Sequence, residues 1–157
     1  MRDDTIAGFL DQLAARVPAP GGGATAALHA AAAGAGKGTA GPYLYWANLT
    51  GVTVGRAWLD GSHVNNRFIT GGVDPERLHG VAIAGRYLYW GVDVPTNGPA
   101  IGRARLDGTG VNQRFITGIS APAGVAVDGR HIYWSDPGSS TIGEANHDGT
   151  EDRKSVV

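Results

Sequence analysis

Three near-copies of one segment dominate this chain and set the limits of what it can fold into. The pairs Tyr45-Trp46, Tyr89-Trp90 and Tyr133-Trp134 begin at 45, 89 and 133, equal steps of 44 residues. At such a period each copy is one supersecondary unit that cannot bury its apolar face alone and must stack on its neighbours. The third copy is the clearest. It runs Pro122-Ala123-Gly124-Val125-Ala126-Val127-Asp128-Gly129-Arg130-His131-Ile132-Tyr133-Trp134-Ser135-Asp136, then Thr141-Ile142-Gly143-Glu144-Ala145-Asn146-His147-Asp148-Gly149.

Each copy reads as four strands. In the second, Val81-Ala82-Ile83-Ala84 is short, apolar and uncharged, as a strand buried on both faces should be. Gly85-Arg86 turns the chain, Tyr87-Leu88-Tyr89-Trp90 suits an aromatic second strand, and Ile101 to Leu106 alternates apolar or small residues with arginine. Asp107-Gly108 is a hairpin signal, since glycine takes the positive φ of a primed turn, and Gln113-Arg114-Phe115-Ile116-Thr117 closes the unit. Asp60-Gly61 and Asp148-Gly149 hold the same place in the other copies. Four strands per unit at this period predict a β-propeller blade or a related array. Before the first copy, where its buried strand should be, stands Gly36-Lys37-Gly38-Thr39-Ala40-Gly41.

The run ending Tyr133-Trp134-Ser135-Asp136 resembles the YWTD repeat of low-density-lipoprotein-receptor-type propellers. That resemblance implies a ring of six blades, of which this chain encodes about three, the first incomplete. It also implies that Asp136, and more loosely Asn48 and Asp93, are structural, each holding its blade together through hydrogen bonds. The fold class expected is therefore mainly β, a partial propeller of four-stranded antiparallel blades over about 43–79, 80–121 and 122–157, preceded by a short helical hairpin. Trp46, Trp90 and Trp134 are expected to pack between blades, because equivalent large aromatics are what stacked blades bury. Trp58, in the place of Arg105 and Asn146, is expected to be an exposed contact residue or an edge liability.

Residues 1–35 differ in kind. Ile6, Phe9, Leu10 and Leu13 have helical spacing; Asp4 or Thr5 can cap a helix that runs to about Arg16, Pro18 and Pro20 stop it, and Ala24 to Ala33 reads as a second helix. The segment from Phe9 to Leu28, with Pro18-Ala19-Pro20-Gly21-Gly22-Gly23 at its centre, resembles the amino terminus of the formiminotetrahydrofolate cyclodeaminase and methenyltetrahydrofolate cyclohydrolase family. That family is all-helical, and its later helices have no counterpart here. By this resemblance Pro20, Gly21, Gly22 and Gly23 are the remnant of a folate-binding loop, whose glycine amides can face an anion at a helix start. A tight turn between helices is the alternative. Two signatures meeting at a glycine-rich junction, 36–42, suggest a truncated or fused gene product, with a natural linker between a helical arm and the blades as the other reading.

The formal charge is −1, which gives no support to nucleic-acid binding. Cysteine is absent, so disulfides and thiolate metal sites are excluded. Asp3 and Asp4 stand where a signal peptide needs basic residues, and no run is apolar enough for a membrane span, so a cytoplasmic, soluble product is expected. Gly36 to Gly41 spells G-x-G-x-x-G, but it follows a helix and precedes strands, the reverse of the dinucleotide motif; Gly38 and Ala31 break the Walker pattern. Asn48-Leu49-Thr50 has the spelling of a glycosylation sequon and reads as turn chemistry in a cytoplasmic chain. His29, His63, His79, His131 and His147 fall at unrelated blade positions, so no metal centre is expected.

No nucleophile and base, paired carboxylates or metal set can be assembled from the sequence. Two functions remain. The first is a non-catalytic propeller fragment that binds a protein or small ligand, needs no cofactor, and self-associates as a dimer or aggregate through open blade faces. The second is a folate-dependent cyclodeaminase or cyclohydrolase using a tetrahydrofolate derivative. More than a hundred residues carry the first pattern and about thirty the second, which favours the first.

Overall fold

In a computed structural model the chain is described over residues 43–48, 53–58, 61–70, 77–93 and 98–150, with the backbone also of 153–156. The expected helical hairpin, the 36–42 junction and the Pro20–Gly23 loop lie outside the described residues. Within them the protein is all-β. Eleven strands form three antiparallel sheets.

Sheet 1 contains β1 (Tyr43–Asn48), β2 (Thr53–Trp58) and β3 (Asn65–Ile69), in that order. Sheet 2 contains β4 (Arg77–Ala84), β5 (Tyr87–Asp93), β6 (Ala100–Arg105) and β7 (Asn112–Thr117). Sheet 3 repeats that order with β8 (Val125–Val127), β9 (His131–Asp136), β10 (Thr141–Asn146) and β11 (Arg153–Val156). Strands consecutive in sequence are neighbours in every sheet, the meander that short turns permit. Three successive sheets of this kind make a partial β-propeller.

Two details differ from the sequence expectation. β4 begins at Arg77, ahead of Val81, because a bulge between His79 and Val81 lets Leu78 join the core while Gly80 turns through φ +33°. A side chain at Gly80 would also meet the main chain at Ala123 to Val125, where β4 and β8 approach. The Asp-Gly hairpins are not primed two-residue turns. Gly108 N donates to Arg105 O and Arg105 N to Thr109 O, both at 2.9 Å, and among these loop residues the glycines Gly108 and Gly110 take positive φ (+88° and +62°) while Asp107 does not. This is a type I turn closed by a left-handed glycine. Asp107 serves it differently, its Oδ1 accepting from Thr109 N at 2.8 Å and Thr109 Oγ1 at 2.7 Å. Asp148 repeats both bonds with Thr150.

Alternation along the strands gives each sheet two apolar faces, and consecutive sheets share one core. Tyr45, Ala47, Val54 and Ile69 of sheet 1 pack with Leu78, Val81, Leu88, Trp90, Val92 and Ala104 of sheet 2. Tyr89, Ile101 and Ile116 of sheet 2 pack in turn with Val125, Ile132, Trp134 and Ala145 of sheet 3. We call the face toward the preceding sheet the leading face and the opposite one the trailing face.

The three tryptophans lie on leading faces, each over a glycine of the next strand: Trp46 on Gly55, Trp90 on Gly102 and Trp134 on Gly143. A Cβ at any of these glycines would collide with the indole. The glycine is what lets so large a ring lie flat inside a joint, leaving Trp90 and Trp134 almost fully buried. Asp136 is buried as well, its carboxylate accepting from the amides of Ser120 and Ala121, each at 2.9 Å, and so tying sheet 3 to the segment leaving sheet 2. Asn48 is bound within its own sheet, to Thr53 Oγ1 and Asn66 O.

Candidate binding surface

The trailing faces carry the chemistry. On sheet 1, Arg56 stands opposite Tyr45 on the neighbouring strand, and its guanidinium carbon lies 4.4 Å from the Tyr43 ring centre and 3.8 Å from that of Phe68. Sheet 2 repeats this with Arg103, 4.5 Å from Tyr87 and 3.8 Å from Phe115. Each arginine then reaches into the next sheet: Arg56 Nη1 donates to Leu106 O at 3.5 Å and Arg103 Nη1 to His147 O at 3.1 Å. Tyr45 OH donates to the same Leu106 carbonyl at 3.2 Å. The phenylalanine edges rest on the hairpin glycines of the following sheet, Phe68 on Gly108 and Phe115 on Gly149. These glycines therefore serve both the turn and the joint. Burial pushes the Tyr45 and Tyr89 hydroxyls above their ordinary pKa, against the nearby arginines.

Sheet 3 has the same face and no covering element among the described residues. Ile142 is 46% exposed, whereas its counterparts Val54 and Ile101 are both at 0%. Glu144 stands where the arginines stand, opposite Tyr133, and His131 where Tyr43 and Tyr87 stand. His131 Nε2 is 3.5 Å from Glu144 Oε1, and Tyr133 OH donates to Asp128 Oδ2 at 3.1 Å. Asp128 Oδ1 accepts from the amides of Arg130 and His131, both at 2.7 Å, and these bonds hold its pKa down to about 2. Its charge is thus committed to the β8–β9 turn.

A second exposed group belongs to sheet 1. Trp58 is 40% exposed and stacks on the His63 ring, 4.6 Å between centres, with Tyr43 edge-on at 6.3 Å. His63 takes φ +54°, uncommon for a side chain of its size, and its Nδ1 lies 2.9 Å from Ser62 Oγ. Trp58 is therefore exposed, as both readings of its sequence position required, and is packed on His63.

Among the described residues no three His, Asp or Glu side chains are grouped as metal ligands would be, and no helix is long and apolar enough to cross a membrane. The glycine under each tryptophan and the arginine joint were missed by sequence reading. Their signal is present in the copies Val54-Gly55-Arg56-Ala57, Ile101-Gly102-Arg103-Ala104 and Ile142-Gly143-Glu144-Ala145, where the glycine recurs and the arginine changes to glutamate only in the third.

No family model matches the sequence, and no curated protein matches it. Among solved structures the chain is similar to one from the crystal structure of a nidogen/laminin complex, with 26% identity and a TM-score of 0.57, over 71% of this chain and 43% of that one. The chain thus spans less than half the length of that structure. The likeness supports a β-propeller-like fold.

Proposed function

We propose that this protein is a non-catalytic, protein-binding module of the YWTD propeller kind, with residues 43–157 as its blades, acting without a cofactor through exposed blade faces. The observation that carries the reading is the exposed apolar surface, with Ile142 on the trailing face of sheet 3 covered by no described element and Trp58 open on sheet 1. The solved relative comes from a protein–protein complex, which fits the same use. Self-association through this face is the finer possibility that the sequence raised. We place a different protein first, because the solved structure that the chain resembles is part of a complex between two different proteins.

Selection of displayed peptides on the immobilised protein tests the reading. Enrichment of peptides that bind the native chain, and not a variant unfolded by Gly102→Val, is the expected result. The opposite result is an absence of enriched binders together with saturable turnover of methenyltetrahydrofolate that Gly22→Val abolishes.

A further inference from the structure

The leading face of sheet 1 is closed without a described neighbour. Leu44, Trp46 and Ala57 form a small cluster of their own there, with 2%, 7% and 0% of their surface exposed. Their counterparts by register are Leu88, Trp90 and Ala104 in sheet 2 and Ile132, Trp134 and Ala145 in sheet 3. Those two sets are buried because the preceding sheet lies on them. Sheet 1 has no preceding sheet among the described residues, and it meets sheet 2 with its opposite face, through Tyr45, Ala47, Val54 and Ile69. Resting on Gly55 hides one side of the Trp46 indole and leaves the other to be covered by something else. Ile142, on a face that no described element covers, keeps 46% of its surface.

The burial is that of a single chain, so the cover belongs to it. The connections 49–52 and 71–76 leave from the end of the sheet where Asn48 pairs with Thr53 and Val54 with Ile69, whereas Leu44 and Ala57 pair toward the other end. Residues 59–60 are spanned by a tight turn, Gly61 N donating to Trp58 O. The chain before Tyr43 remains, and it enters at β1, an edge of sheet 1. Its sequence carries an apolar stripe, Ile6, Phe9, Leu10 and Leu13 at helical spacing. A short helix with such a stripe is marginal in water until the stripe packs on something, and the terminal unit of a stacked array needs a cap. We propose that segment 1–35 docks this stripe on Leu44, Trp46 and Ala57, taking the place of a preceding blade and capping sheet 1. Only residues 36–42 separate the two, so the tether keeps the local concentration of the stripe high. The assignment is independent of the protein-binding function, and it removes the leading face of sheet 1 from the surfaces open to a partner.

The absence of native cysteine allows a single nitroxide label at Gln12→Cys, beside the stripe and outside it. In amide and indole NMR of the full chain, the label is expected to broaden the resonances of Leu44, Trp46 and Ala57 relative to its reduced form and to leave those of Tyr133, Ile142 and Glu144 unchanged. Adding Phe9→Asp and Leu13→Asp to the labelled chain should abolish the broadening and speed amide exchange in β1 and β2 about tenfold or more, with the sheet 3 amides in place. Broadening that is absent, that falls on sheet 3 instead, or that survives the two aspartates would overturn the proposal. So would equal broadening in isotope-labelled chains that carry no nitroxide and are mixed with nitroxide-labelled ones, because a second copy would then be the cover.

Discussion

The glycines beneath the tryptophans are where single atoms decide the fold. A methyl group at Gly102 would enter the Trp90 indole, and Trp90 is fully buried between two sheets with its Nε1 donating to Gln113 Oε1 at 2.9 Å, so neither partner has room to yield. Gly102→Ala is expected to cost about 3 kcal/mol or more in urea unfolding, at the upper end of overpacking. Gly129→Ala, where an added Cβ meets nothing within 4 Å and φ is not positive, should lie within about 0.5 kcal/mol of the native protein. Similar losses for the two would refute the packing argument.

Asp136 is the second decisive residue. Burial opposes its charge, yet the amides of Ser120 and Ala121, with Ser139, hold its pKa below the ordinary carboxylate value. A lowered folded pKa contributes stability that is present above the ordinary carboxylate range and is lost as pH falls through the folded value. Asp136→Asn should cost roughly 1–3 kcal/mol at neutral pH by weakening two buried hydrogen bonds. It should also make the loss of stability below about pH 4 shallower, because one carboxylate linked to folding is gone. An acid profile of thermal unfolding with unchanged slope would contradict this. That Asp136 is a structural hydrogen-bonding residue was legible through its place after Tyr133-Trp134, but its partners in the segment leaving sheet 2 were not. The Trp–Gly contacts were not, because cross-strand partners depend on register, which spacing alone leaves open across loops of different length.

At the scale of strands and sheets, the arginine joint is the recurring connection. A guanidinium held between two rings and bonded to a carbonyl of the next sheet combines cation–π attraction with a charge-assisted hydrogen bond. Arg103→Gln and Phe115→Leu should therefore be coupled, with a double-mutant interaction energy of about 1 kcal/mol in urea unfolding. Strict additivity would show that Arg103 does not use the ring 3.8 Å away. The strands themselves were readable from alternation and turn chemistry, and so was the meander. The extra length of β4 was hidden because Arg77 and His79 look like loop residues, and only the bulge at Gly80 turns Leu78 inward. The Asp-Gly turns were found for the right glycine and assigned the wrong geometry, since the same dipeptide also suits a type I turn closed by a left-handed residue.

At the scale of the whole molecule, stability in such an array is a sum over units and the interfaces between neighbours. The 44-residue period disclosed the units, whereas the change from arginine to glutamate at position 144 stands out only beside the two built joints. Three consecutive sheets stand as packed blades sharing two cores, and native-state hydrogen exchange on Gly102→Ala tests this arrangement most directly. Because sheet 2 supplies one wall of each core, the lesion should lower amide protection in β1, β2, β9 and β10 as well as in β5 and β6. Native protection retained in sheets 1 and 3 while sheet 2 alone opens would contradict the account.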